Sequence, residues 1–175
     1  SDVVIINTCG FIGDAKEESI DTILEYAELR KANKIKKLYV MGCLSQRYRK
    51  ELQEEIHEVD GFFGVESVQL IASQILSNSI SQQLGNSISI YNPERLLSTP
   101  SHYAYLKISE GCNRRCAFCA IPLIRGEHVS VPMENLIEEA QLLAKKGVKE
   151  LILIAQDLTY YGRDIDGQFH IVELV

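Results

Sequence analysis

No apolar run in this 175-residue chain approaches the ~18 residues of a membrane-spanning helix, and no secretory leader stands ahead of its first strand. These absences read as a soluble, cytoplasmic protein with no membrane partner. A basic excess is missing too: 18 Lys and Arg face 24 Asp and Glu, for a net charge of −6. General nucleic-acid binders usually carry a basic face, so the balance argues against that class. There is no repeat of fixed short period and no starting methionine. The chain opens on Ser1, almost inside a strand, and stops in "FHIVELV" without a cap or turn. A fragment cut at both ends is therefore expected.

What is present suffices for one good core or two small ones, since 46% of the residues are hydrophobic. "DVVIINTC" has the pattern of a buried parallel strand. A helix follows, with Asp14 and Glu17 in capping-box spacing and Ile20, Ile23, Leu24 and Ala27 as its apolar stripe. "KLYVMGC" is a second strand, after which Ser45 is placed to cap a helix bearing Tyr48, Leu52 and Ile56. "GFFGV" reads as a short third strand, and Val68, Ile71, Ala72 and Ile75 mark a third helix. The next stretch is rich in Ser, Asn and Gln and reads as a linker. Strand resumes at "YAYLKIS". A helix from about Glu134 carries Leu136, Ile137, Ala140, Leu143 and Ala144, with Gly147 as its stop, and "KELILIA" is a further parallel-type strand. This alternation predicts an α/β fold: an incomplete doubly wound parallel sheet over residues 1–78, a linker over 79–101, and the opening βαβ of a larger α/β unit over 102–175.

Five cysteines in a reducing compartment point to metal ligation or catalysis rather than disulfides. "EGCNRRCAFCAIPLIRG" holds three of them, Cys112, Cys116 and Cys119. Three readings compete. On one helix face they would be small core residues, but Gly111, Asn113 and Pro122 interrupt a helix there. A structural zinc wants four ligands, and the one nearby histidine is His128. An iron–sulfur cluster on three thiolates, with one iron left open, fits the short wrapping loop and its cations Arg114, Arg115 and Arg125. The last reading is favoured. Cys9 and Cys43 end the first two strands, where open parallel sheets place ligands. Gly10 and Gly42 beside them are expected to let a bulky ligand approach. Burial of two free cysteines explains the same pattern. His57, His102, His128 and His170 show no ligand spacing among themselves.

"GCNRRCAFCAIPLIRG" resembles the signature of the radical S-adenosylmethionine enzymes. The resemblance implies that Cys112, Cys116 and Cys119 bind a 4Fe–4S cluster whose fourth iron chelates S-adenosylmethionine, with cleavage to a 5′-deoxyadenosyl radical. It puts Phe118 near the adenine and implies the superfamily's partial β/α barrel for the second domain. "NTCGF" and "MGCLSQR" are similar to the N-terminal domain of the radical methylthiotransferases, which carries a second 4Fe–4S cluster as the sulfur-donor site. Cys9 and Cys43 would be two of its ligands, and the first is absent from this sequence, so the chain would hold that cluster poorly or not at all.

Two branches of that family differ in substrate: transfer-RNA adenosine, or the β-carbon of an aspartate in ribosomal protein S-twelve. "DVVIINTCGFIGDAKEESIDTILE" and "AQDLTYYGRD" resemble the ribosomal-protein branch, with Asp157 after Gln156 where the other branch usually has asparagine. Both residues sit at the end of "ELILIA" and are expected to face the cofactor crevice. A polar strand end closing a turn is the plainer reading. The acidic balance suits a basic protein substrate, whereas "RKANKIKK" and "RYRK" are basic clusters that could touch RNA, although such runs are usually solvated helix faces. The family's RNA-binding C-terminal domain is not in the sequence, and the reductant and sulfur source are unknown. A non-catalytic metal-binding docking module is the remaining alternative.

Overall fold

The computed structural model describes residues 2–65, 68–77 and 95–175, without the side chains of 68, 69, 74, 76 and 77. The expected linker, 79–101, lies largely outside the described residues. The chain divides into two compact units, Ser1–Ser87 and Ile88–Val175.

In the first unit β1 (Val3–Thr8), α1 (Gly13–Lys31), β2 (Lys37–Gly42), α2 (Cys43–Arg47), α3 (Arg49–Glu55), β3 (Gly61–Phe62) and α4 (Val68–Ser77) follow one another. The strands form a parallel sheet in the order β1-β2-β3, with Val3 opposite Lys37 and Thr8 opposite Gly42. Strand β2 is central, and its Leu38 and Val40 are fully buried among Ile6, Ile23, Ala27, Ile35, Leu44, Leu52, Ile56 and Phe62. Strand β1 is sheltered on one face only: Ile6 is buried, while Ile5 is 45% exposed. The fully buried strand expected there is thus a one-sided edge strand among the described residues.

Two expected caps are not used. Helix α1 starts one residue before Asp14, after Ile12, and α2 starts at Cys43, so Asp14 and Ser45 lie inside their helices. Of the α1 stripe, Ile23 and Ala27 enter the core. Ile20 and Leu24 instead line a groove of about 750 Å³ against Leu44, Tyr48 and Leu52. In the basic cluster "RKANKIKK", Arg30 and Lys37 both bind Asp60, at 2.9 and 2.7 Å, and Lys36 binds Asp2 at 2.9 Å.

The second unit runs β4 (Tyr103–Lys107), β5 (Ser109–Glu110), α5 (Ile121–Arg125), β6 (Val129–Ser130), α6 (Met133–Lys145), β7 (Glu150–Ile154), a 3-10 turn (Leu158–Tyr160), α7 (Arg163–Asp166) and α8 (Ile171–Leu174). Strands β4 and β7 pair in parallel, Tyr103 opposite Glu150 and Lys107 opposite Ile154, with α6 as the crossover. Strands β5 and β6 pair antiparallel. Leu106, Ile108, Val131, Leu136 and Tyr161 form the core. Helix α6 buries Leu136, Glu139 and Leu143, not the expected Ile137, which is 48% exposed. Glu139 is tolerated inside because Arg95 pairs with it at 2.9 Å. Gly147, at φ +95°, stops α6 as its sequence position predicts.

Candidate metal and cofactor centre

The cysteine loop is built by a strand that changes partner. Lys107 is the last β4 residue paired with β7, and the Ile108 amide still reaches the Ile154 carbonyl at 3.1 Å. The chain then turns into β5, where Ser109 and Glu110 oppose Ser130 and Val129 of β6. Everything between is one closed excursion, pinned at its neck by the Cys112 amide donating to the Gly126 carbonyl at 3.2 Å. Residues 111–116 are not helical, so the three cysteines do not share a helix face and the core reading fails.

Within the excursion Cys112 is buried, Cys119 is half-buried and Cys116 is exposed. The Cys112 sulfur accepts the Arg114 amide at 3.4 Å. It borders a pocket of about 450 Å³ together with Asn113, Arg114, Arg115, Pro122 and Glu127. Phe118 is 96% exposed, which excludes a core role for its ring. Asn113 Oδ1 receives the His128 amide at 3.0 Å, and the buried His128 ring meets Tyr160 edge-on with centroids 5.0 Å apart. His128 Nε2 lies 3.2 Å from Ser130 Oγ.

Of the arginines, Arg114 and Arg125 are tied to carboxylates, while Arg115 is exposed. Arg114 Nε donates to Asp157 Oδ2 at 2.8 Å, and its guanidinium lies 5.6 Å from the Tyr160 ring centre. Thr159 donates to the other Asp157 oxygen at 2.7 Å. Burial pushes the Asp157 carboxyl up, but the hydrogen bonds from Arg114 and Thr159 prevail and hold it below the usual range. Asp157 thus joins the end of β7 to the cysteine loop.

Sequence reasoning missed Glu110. Its side chain is 0% exposed and sits one residue before the loop. Lys107 Nζ binds Oε2, Arg125 Nη1 lies 3.4 Å from both oxygens, the Gly111 amide donates to Oε1 at 3.3 Å, and Gln156 Nε2 donates to Oε1 at 2.7 Å. Burial raises its pKa, yet the Lys107 bond and the two cations outweigh burial and keep the acid below its ordinary value. The available signal was a glutamate three residues after a lysine inside an otherwise apolar strand.

In the first unit the register sets Thr8 beside Gly42, so Cys9 and Cys43 leave neighbouring strands at the same level. Cys9 donates its amide to Ser19 Oγ at 3.1 Å, and Cys43 is buried at the start of α2. The glycines serve the chain's own packing. A Cβ on Gly10 would stand 2.8 Å from the Cys43 carbonyl carbon, and one on Gly42, at φ +104°, would stand 2.5 Å from the Thr8 carbonyl oxygen. The space expected for a ligand beside Gly10 and Gly42 is thus filled by backbone.

Among the described residues, no three His, Cys, Asp or Glu side chains are gathered to hold a metal ion. The donor chemistry nonetheless fits an iron–sulfur cluster, because three thiols on one short loop are soft ligands. A second observation fits S-adenosylmethionine: Gln156 Oε1 is buried without a hydrogen-bond partner, an acceptor suited to an ammonium group.

Residues 1–64 match the family described as "Uncharacterized protein family UPF0004", and residues 106–174 match the Radical SAM superfamily. A "Ribosomal protein uS12 methylthiotransferase RimO" of Cytophaga hutchinsonii is 55% identical over 94% of this chain and 36% of its own length. Proteins of the same description from Phocaeicola vulgatus and Chloroherpeton thalassium are 53% and 50% identical, over 99% and 100% of this chain and 38% of theirs. The chain therefore spans little more than a third of the curated relatives it matches. With cysteines at paired strand ends in one unit and a three-cysteine loop in the other, the chain matches the Radical SAM superfamily over residues 106–174 and is similar along nearly its whole length to the uS12 methylthiotransferases.

Proposed function

We propose that this chain is part of an enzyme that adds a methylthio group to the β-carbon of an aspartate in ribosomal protein uS12. The observation that carries the reading is the neck-pinned loop bearing Cys112, Cys116 and Cys119, set against the polar end of β7. Support for the substrate comes from the relatives, whose descriptions name uS12, and from Asp157 following Gln156.

Cys112, Cys116 and Cys119 would hold one 4Fe–4S cluster, and Cys9 and Cys43 would supply two ligands to a second, at the sulfur-donor site. When bound, the first cluster and S-adenosylmethionine supply reductive C–S cleavage and abstraction of hydrogen from an unactivated carbon. The chain's own residues bind and orient. Arg114 and Asp157 fix the cysteine loop against β7, Gln156 offers its carbonyl oxygen to the nucleotide's ammonium, and exposed Phe118 is free to cover the adenine. The doubly wound sheet and the partial β/α barrel belong to the same reading, as do a domain boundary within 79–101, a cytoplasmic location and an RNA contact through a C-terminal domain.

Mass spectrometry of uS12 from cells with and without the full-length gene tests this. The expected result is a methylthio mass on one aspartate, lost in the deletion. An unchanged uS12 alongside loss of a methylthio-adenosine from transfer RNA would move the assignment to the other branch.

A further inference from the structure

We propose that Glu110 is a positioning residue: it fixes the orientation of the Gln156 amide, so that the site presents an acceptor and selects a ligand carrying an ammonium group. The inference rests on the functional reading above and assigns a role to a residue outside the cysteine motif.

The argument is one of hydrogen-bond capacity. An ionised carboxylate only accepts, whereas a glutamine amide has one donating and one accepting end. Glu110 sits beside Lys107 and Arg125 with no exposed side-chain surface, so its charge is matched where it is buried. Whatever faces its Oε1 must donate. Gln156 does so through Nε2 at 2.7 Å, which turns Oε1 the other way. That oxygen is buried and has no partner. Burying an acceptor without a donor is unfavourable. Turning the amide over would satisfy nothing, because it would set oxygen against carboxylate. The orphaned acceptor is therefore locked in place from behind, and a ligand bringing a donor relieves it, a positively charged N–H most strongly.

An ammonium does this with the strongest, charge-assisted bond, and a substituent without an N–H or O–H donor does not do it at all. The amino-acid end of S-adenosylmethionine carries such an ammonium. Of the two arginines lining the pocket beside Cys112 with Glu127, Arg114 is paired with Asp157, and Arg115 supplies opposite charge for a carboxylate.

The test is equilibrium binding to the cluster-loaded, full-length enzyme of two ligands that are not cleaved, S-adenosylhomocysteine and its deamino analogue. Wild type is expected to prefer the amine. Glu110→Gln provides a second amide that can donate to Gln156, freeing its amide to turn, and the preference should fall about tenfold or more. Gln156→Leu should lower the preference similarly, and Glu110→Gln should add nothing in that background. A purely structural glutamate would weaken both ligands by one factor and leave their ratio unchanged, which overturns the proposal. If circular dichroism shows Glu110→Gln unfolded, Glu110→Asp carries the same test. It keeps a charge beside Lys107 and Arg125 while drawing the carboxylate back from Gln156, and about a threefold fall in preference is expected. Failure of wild type to bind S-adenosylhomocysteine at all would instead overturn the functional reading, and this proposal with it.

Discussion

Asp60 shows how much a single carboxylate organises in the first unit. Its two oxygens take Arg30 Nε at 2.9 Å, Lys37 Nζ at 2.7 Å and the Leu38 amide at 2.9 Å. Burial pushes the carboxyl up, but these three donors win and hold it at about 2, against 3.8 for the free side chain. A depressed acid stabilises the fold above its unfolded pKa and loses that contribution as pH falls through the folded one. The contribution is therefore complete above about pH 5 and is lost as the pH falls through about 2. Since Arg30 and Lys37 remain partly solvated, screening reduces it to the order of 1 kcal/mol. Asp60→Asn should lower unfolding free energy by about that much at pH 7 and by much less at pH 2, measured by urea denaturation at both. None of this was legible in the sequence, where Arg30 and Lys37 read as a basic cluster available to RNA. A net count of charges along a chain does not show that one distant aspartate neutralises two of them. Glu110 escaped notice for the same reason, its partners being three, fifteen and forty-six residues away.

At the scale of elements, hydrophobic period was a good guide and local capping chemistry a poor one. The strand at "KLYVMGC" and the helix ending before Gly147 lie where the pattern puts them, because burial of a periodic face decides them. Asp14 and Ser45 were misread as caps because a favourable spacing does not choose its own helix start; in both cases the helix begins earlier, at Gly13 and Cys43. The cysteine loop was legible as a non-helical excursion, but the β5–β6 pairing that closes it was not, since two-residue strands leave no period to read. That neck makes a sharp prediction. Gly111 and Gly126 have nearly equal φ, +76° and +75°, but a Cβ on Gly111 would stand 2.0 Å from the Glu127 carbonyl oxygen, while one on Gly126 would meet nothing within 4 Å. Gly126→Ala should cost only left-handed backbone strain, about 1 kcal/mol. Gly111→Ala adds a clash with backbone that cannot swing aside and should cost about 3 kcal/mol or more. Thermal melts of the two variants compare strain alone with strain plus overlap. A similar loss in both would mean that the neck yields easily.

For the whole molecule, the proposed chemistry is divided as the chain is, into Ser1–Ser87 and Ile88–Val175, with two candidate thiols in one unit and three in the other. If each unit serves its own cluster, damage to one should leave the other's spectroscopy intact. Cys9 emerges from β1 with its amide held by Ser19. In the full-length enzyme, prepared anaerobically, Cys9→Ala should remove about half of the iron and acid-labile sulfide, preserve formation of 5′-deoxyadenosine, and block insertion of sulfur into uS12. Cys116→Ala should also remove about half of the iron but abolish 5′-deoxyadenosine, because it takes one of the three thiols from the loop beside Gln156. The two variants then report on separate centres, and mixing them would restore neither activity unless the centres act across molecules. Equal iron in Cys9→Ala and wild type would remove the second cluster from the proposal while leaving the first untouched. Colourless wild-type protein holding zinc would remove both.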